Sequence, residues 1–393
     1  MWLTVSQAHT GELNHGRPCY SQSMYINFWY PVATSTEVTN DSPLRVKILS
    51  LDFVAFRDSA GNAHVLSDTC IHRGGALGEG QICGDRVQCP YHGWQYDGDG
   101  HCTLIPSQGP DEKPPARAKV DSYPVQEKYG IVFAFLGDLP ENERPPLWEV
   151  EEYEQDDWRA NILTVFEVDY YYERSIENGL DPAHNEFVHP KQGTPGMVLD
   201  FKKNPIKIDP LTEFGSGFMM PFTQLAPDEG LLAKANSVND EVVKAGSGHI
   251  GPNALVTWLH FTKENMFHQY FFEAPIDEQR TRIFFLNMRH FMMDPDMDQK
   301  IVDINMEIAQ EDIDLLVKLN PVRTPETLTK ELLVPTDKPV VRYRELLKEW
   351  QHKGWRIDMK KLFAQRGDVA FAIPCPARRT EKNWILDEVP RMD

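Results

Sequence analysis

The chain is poor in cysteine, in positive charge and in long apolar runs, and each shortage closes off a class of protein. Six cysteines in 393 residues, at positions 19, 70, 83, 89, 102 and 375, are too few for a disulfide scaffold. No apolar stretch approaches the ~20 residues of a membrane helix, so no membrane span is expected. Residues 1–20 have neither a basic opening nor an apolar core, so neither a secretory signal nor a transit peptide is expected. The chain reads as cytoplasmic, and that compartment keeps thiols reduced. Lys and Arg number 40 against 59 Asp and Glu, a net charge of −19. Such a surface repels nucleic acid and anionic membrane, so neither is an expected partner. No internal repeat or low-complexity tract occurs.

What is present points to more than one domain, since ~100–200 residues per domain allows two or three here. Residues 28–136 alternate short strand patterns with turns, among them 44–49, 53–57 and 64–66 around the turn cluster 58–62. The run 131–136 reads as a short buried strand. Proline and acid crowd residues 140–157, a linker with a solvated face. Beyond it the pattern becomes α+β. Strands are expected at 162–168, 255–261, 266–273 and 281–289, and helices over about 170–188 and 297–319. The expected organisation is an N-terminal segment 1–26, an all-β domain 27–140 and a larger domain 141–393.

Two constellations carry chemistry. The first is Cys70-x-His72, sixteen intervening residues, then Cys89-x-x-His92. Zinc would accept such a Cys₂His₂ set. A Rieske cluster instead places two Cys on one iron and two His on the other. Each pair here is Cys followed by His, one pair per glycine-rich loop (Gly74, Gly75, Gly78, Gly80, Gly93), and this favours the cluster. Cys83, Cys19 and Cys102 fit no ligand spacing and read as small packed residues.

The second constellation is Asn178-x-x-Asp181-Pro182-x-His184-x₄-His189. Two His five apart lie about 140° apart on an ideal helix, so a kink or π-bulge must bring them to one ion. A carboxylate would complete the set. On the expected helix 297–319 the apolar stripe is Ile301, Ile304, Ile308, Leu315 and Leu319, and Asp312 falls within its reach. An inward carboxylate is costly unless it is paired or metal-bound. A buried salt bridge is the plain alternative. Two His and one carboxylate form the facial triad of non-haem Fe(II) oxygenases. Asp181 before Pro182 also suits a helix start.

On the run Cys89-Pro90-Tyr91-His92-Gly93-Trp94 and the Asp181 to His189 motif, the chain resembles the terminal oxygenase (α) subunits of Rieske non-haem iron oxygenases. The resemblance reaches the monooxygenase branches near the pheophorbide oxygenases. Their C-terminal Cys-x-x-Cys is reduced here to Cys375 alone. The resemblance implies an all-β Rieske domain with a larger helix-grip (START-like) catalytic domain of antiparallel sheet and helices. It implies a [2Fe–2S] cluster on Cys70, Cys89, His72 and His92, and Fe(II) on His184, His189 and Asp312. Asp181 would link His184 to His92 of a neighbouring subunit, with Asn178 on the same face near the iron. A homotrimer follows from the same likeness.

No Gly-x-Gly-x-x-Gly follows a predicted strand, and Gly215-Ser216-Gly217 reads as a loop, so electrons are expected from a separate NAD(P)H-dependent reductase, with or without a ferredoxin. Arg73 is a candidate docking contact. The expected activity is hydroxylation or oxidative demethylation of a hydrophobic, aromatic or polycyclic substrate by dioxygen, as a monooxygenase before a dioxygenase. A Rieske electron carrier or redox sensor without oxygenase activity is the alternative. Phe166, Met197, Phe218, Trp258 and Phe272 are candidate pocket walls.

Overall fold

The computed structural model describes residues 24–190, 197–222, 243–262 and 264–392; most of the expected segment 1–26 therefore lies outside the described residues. The chain opens with β1 (Phe28–Thr34), β2 (Leu44–Ile48), β3 (Leu51–Arg57) and β4 (Ala63–Ser67). Next come β5 (Gln81–Ile82), β6 (Val87–Gln88), β7 (Gln95–Tyr96), β8 (Cys102–Leu104), β9 (Ser122–Tyr123), β10 (Val125–Lys128) and β11 (Ile131–Leu136). They form sheets in the orders β1-β11-β10, β2-β3-β4-β9 and β5-β6-β7-β8. All six residues of β11 are buried, as an unbroken apolar run requires when both faces of a strand are covered.

The second part holds β12 (Arg159–Ala160), β13 (Thr164–Val168), α1 (Tyr172–Leu180), α2 (Asn185–Val188) and α3 (Met197–Lys203). Strands β14 (Asp209–Thr212), β15 (Gly215–Phe222), β16 (Val243–Ile250), β17 (Ala254–His260), β18 (Met266–Pro275) and β19 (Thr281–Arg289) follow. Then come α4 (Asp298–Leu316), α5 (Lys338–His352), α6 (Met359–Gln365) and the short parallel pair β20 (Phe371–Ala372) and β21 (Asp387–Glu388). The large sheet runs β12-β19-β18-β17-β16-β15-β14, with β13 also on β19, and every pairing in it is antiparallel. The α+β architecture matches expectation. Gly215-Ser216-Gly217 does not: it opens β15. A Cβ at Gly215 would come within 2.0 Å of the His249 carbonyl, so glycine lets β16 approach.

Two helices differ from the sequence reading. The expected helix 170–188 is broken at residues 181–184, because Pro182 has no N–H to donate and turns the residue before it away from helix. On α4 the buried face runs through Ile301, Val302, Asn305 and Leu316, while Leu315 is exposed. The inward row is thus set one residue away from the predicted stripe at its end, and Asp312, four before Leu316, lies on it.

One apolar core joins the two parts. It includes Phe133 of β11 and Phe272 of β18, whose rings meet edge to face at 5.1 Å. The Leu49-Ser50 turn donates its N–H groups to the Pro275 and Ile276 carbonyls. The C-terminal segment returns to the first domain. Arg378 pairs with the fully buried Asp121, and Tyr123 donates to the Ile373 carbonyl. Cys375 is buried in this contact, with its thiol pushed up to about 12 by burial.

Candidate metal centres and active site

The first constellation sits on two loops of one design. In each, the cysteine N–H reaches the carbonyl five residues on (Gly75, Trp94), and the N–H four residues on (Gly74, Gly93) returns to the cysteine carbonyl. Gly74 and Gly93 have φ of +72° and +73°, which glycine adopts without strain. A Cβ at Gly75 would lie 2.8 Å from Cys89 Sγ, so any side chain there would crowd the thiol. Cys70 and Cys89 are buried while His72 and His92 are exposed, their rings 4.4 Å apart. Trp94 stacks flat on His72 at 4.6 Å. Tyr96 Oη lies 3.2 Å from Cys70 Sγ. Burial pushes the Cys70 thiol up to about 11, and Cys89 adds to the rise. Two thiolates at such a place require a positive centre between them. The four donors therefore fit a cluster with a sulfur side inside and a histidine side at the surface.

The second constellation meets on the inner face of the large sheet, between α1 and α4. The break at Pro182 leaves His184 just before α2 and His189 just after it, so the two rings, 140° apart on a continuous helix, come to a centroid distance of 5.3 Å. Asp312 Oδ1 lies 3.2 Å from His189 Nε2 and 3.6 Å from His184 Nε2. One ligand atom from each of the three residues falls within 4.8 Å of the others. The far nitrogens are held too. Nδ1 of His184 is 2.6 Å from the Asp181 backbone carbonyl, and Nδ1 of His189 is 2.9 Å from Glu311 Oε2. An Nδ1–H donated to each oxygen leaves both Nε2 lone pairs facing the common point, the tautomer a metal needs. Burial opposes charge on His189, but Asp312 and Glu311 outweigh it and hold its pKa above the usual range. This donor set fits a divalent iron.

Asn178 Nδ2 donates to Asp312 Oδ1 at 3.0 Å, so Asn178 acts on the carboxylate. The Asp181 carboxylate accepts from the Ala183 N–H, and its Oδ2 stands 3.9 Å from His184 Nδ1. Burial holds this carboxyl above its ordinary pKa, and Asp337 adds to that. Glu311 was visible in the sequence beside Asp312, but no pattern gave it a role, because which histidine it meets depends on how α2 and α4 pack.

A cavity of about 100 Å³ adjoins the three donors, with Phe166, Phe271 and Phe285 among its walls. Phe271 and Phe285 stack in parallel at 4.5 Å. Of the predicted walls, Phe166 lines it. Trp258 and Phe272 point to the opposite face of the sheet, because strand alternation gives the inner face to Thr257 and Phe271. Phe218 packs in a separate cluster with Phe201 and Phe222, and the Met197 side chain lies outside the described residues. A larger cavity, near Arg344 and Arg356, is lined by none of the three donors.

Glu311→Gln keeps the size of the side chain but removes the charge behind His189. We expect iron affinity to fall about 10–100-fold, the range for losing such a supporting partner. Iron titration of the chelated protein measures it, and an unchanged affinity would show that His189 is oriented without Glu311.

Residues 28–124 match the Rieske [2Fe-2S] domain family, and residues 232–353 match the vanillate O-demethylase oxygenase C-terminal domain family. The methylxanthine N1-demethylase NdmA of Pseudomonas putida is 28% identical over 344 residues, 82% of this chain and 88% of that protein. The 5,5'-dehydrodivanillate O-demethylase oxygenase subunit of a Sphingobium species is 25% identical, over 64% of this chain and 55% of its own length. The oxygenase component of 3-ketosteroid-9-alpha-monooxygenase of Rhodococcus rhodochrous is 29% identical, over 48% of this chain and about half (49%) of its own. NdmA with caffeine shares the fold at a TM-score of 0.66, with 24% identity over 84% of this chain and 91% of that one. Dicamba monooxygenase bound to dicamba does so at 0.65, with 23% identity over 84% and 99%. Among the described residues no helix is long and apolar enough to cross a membrane. With a Rieske [2Fe–2S] domain leading into an oxygenase domain in one polypeptide, the chain belongs to the Rieske non-haem iron oxygenases, enzymes that use a [2Fe–2S] cluster and a mononuclear iron to hydroxylate or oxidatively demethylate organic substrates.

Proposed function

We propose that Cys70, Cys89, His72 and His92 hold the cluster, and that His184, His189 and Asp312 hold the iron of a terminal monooxygenase. The convergence of the three donor atoms within 4.8 Å, with both histidines turned by an Nδ1 partner, carries this reading. When bound, the cluster supplies single electrons and the iron a site where dioxygen is activated beside the substrate. The protein's own residues do the rest. Glu311 and the Asp181 carbonyl fix the histidine tautomers, and Asn178 fixes the carboxylate. Phe166, Phe271 and Phe285 present flat apolar surface and exclude water.

Those walls suit a hydrophobic, aromatic or polycyclic substrate. The printed substrates of the relatives, a methylxanthine, a dehydrodivanillate and a ketosteroid, are ring compounds of that kind. The Asp181 carboxylate is 30% exposed beside His184, and His72 and His92 are exposed on the first domain. A second copy can therefore bring its cluster histidines to Asp181, which supports a homotrimer with Asp181 as the contact between centres. Electrons come from a separate NAD(P)H-dependent reductase, directly or through a ferredoxin, docking near Arg73 in the cytoplasm. Arg73 is exposed next to His72, which supports that placement.

Electron paramagnetic resonance of the reduced protein, before and after nitric oxide, tests both centres. The expected result is a rhombic Rieske signal joined by a high-spin iron–nitrosyl signal. A Rieske signal alone, after iron repletion, would discard His184, His189 and Asp312 as a site and leave an electron carrier.

A further inference from the structure

Glu273 is fully buried on β18, in the same row as Gln269 and Phe271, whose side chains line the cavity. Strand alternation sends all three to one face. Its Oε1 lies 2.6 Å from Ser175 Oγ on α1, and its Oε2 has no partner among the described residues. Ser175 lines the cavity, and so does Tyr170. A buried carboxyl and a hydroxyl thus form a row that opens into the cavity beside the iron donors.

The surroundings keep this carboxyl neutral. Burial pushes it up to about 8, and the Ser175 hydroxyl offsets only part of that. From the α1 side it faces Ser175, and Tyr170, just before α1, lies within its electrostatic reach. Across the sheet it faces Ile283 of β19, and Asn253 just before β17 accepts its backbone N–H. Tyr170 is the titratable group among these. Arg282, beside Ile283, turns away to pair with Glu37. Asp312 acts on Tyr170.

We propose that Glu273 stores a proton for the reaction and delivers it to the cavity through the Ser175 hydroxyl. The proposal rests on the oxygenase site assigned above. Hydroxylation consumes a substrate C–H bond, one dioxygen, two electrons and two protons, and yields C–OH and one water. One of those protons comes from Glu273. Its O–H bond breaks as Ser175 Oγ takes that proton and passes its own to the reacting oxygen. The hydroxyl hydrogen rotates freely enough for the contact to run in either direction. After product leaves, water re-enters the cavity and a proton from bulk solvent returns to Glu273 through Ser175. A neutral buried acid one hydroxyl away from the cavity carries a proton without the cost of a buried charge.

The holoenzyme tests this with dioxygen alone as the probe, where, with no C–H bond supplied, the same two electrons and two protons take dioxygen to hydrogen peroxide. Protein reduced anaerobically is mixed with oxygenated buffer, and cluster absorbance follows reoxidation, with Asp312→Ala as the iron-independent background. Both Glu273→Gln and Ser175→Ala should slow the iron-dependent phase at least about tenfold, the low end for losing a positioned proton donor. Wild type should lose rate above pH 8, and Glu273→Gln should not show that step. The infrared carbonyl band of a protonated carboxylic acid should be present at neutral pH in wild type and missing in Glu273→Gln. Should Glu273→Gln not fold, Ser175→Ala and the wild-type pH dependence of that band decide. Variants as fast as wild type, or an ionised Glu273 at pH 7, would overturn the relay alone. A wild type no faster than Asp312→Ala would overturn the iron site itself.

Discussion

Asp312→Ala should abolish product formation and leave the Rieske signal intact. Its Oδ1 is, among the described residues, the one carboxylate oxygen facing both Nε2 atoms, at 3.2 and 3.6 Å. Two neutral imidazoles alone neither neutralise a divalent ion nor complete a facial set. The loss should exceed the ~10–100-fold that removal of a supporting partner costs, because a ligand itself goes. Asn178 would also lose the acceptor of its 3.0 Å bond. Folding should survive: alanine favours helix, and Asp312 sits on α4 at the edge of an open cavity with 23% of its side chain exposed. Asp312→Asn separates charge from shape, since it retains an oxygen but not the charge. Product yield per dioxygen consumed, with a reductase, is the measurement. Coupled turnover at wild-type level in Asp312→Ala would mean that another carboxylate serves.

Arg344→Met should destabilise the protein by about 3–5 kcal/mol, the range for stranding one partner of a buried ion pair. Arg344 Nε and Nη2 meet the two oxygens of Glu177 at 2.5 and 2.8 Å, and Nη2 also reaches Glu331 Oε2 at 2.8 Å. Arg344 and Glu177 each expose only 7% of the side chain. Without the guanidinium, Glu177 keeps, among the described residues, only Arg174, at 3.3 Å. Glu177 precedes Asn178 on α1, so the damage should reach the iron site, and iron loss should accompany the lower denaturation midpoint. Replacing both partners, with Glu177→Leu added, should recover much of the stability, because an apolar pair leaves no buried charge. A loss below about 1 kcal/mol in the single variant would show that the pair is worth no more than an exposed one.

The sequence was most informative where chemistry is local. Cys-x-His and Cys-x-x-His within glycine-rich loops predict a cluster because a short loop must supply two donors and leave room for the backbone to close around them. The loop hydrogen bonds and the space at Gly75 agree with that requirement. The histidine spacing called for a kink or π-bulge in the expected helix 170–188, and Pro182, a residue without an N–H, supplies a full break there. The break, rather than a π-bulge, is what brings His184 and His189 together.

The rest depended on packing. Whether Phe271 or Phe272 walls the cavity is a matter of strand parity, and in a strand apolar on both faces nothing local marks which face is inward. Glu311 meets His189, and Ser175 meets Glu273, only because α4 and α1 cross the sheet where they do. The C-terminal segment looked like part of the second domain, yet Arg378 seeks the buried Asp121 of the first. By itself the sequence determined which atoms can bind metal, because ligand type and loop spacing are covalent facts. The tertiary structure alone decided which neighbours orient those atoms and which acid can feed them protons, because such contacts join residues 98 to 134 positions apart that only burial of a shared core brings within hydrogen-bond range.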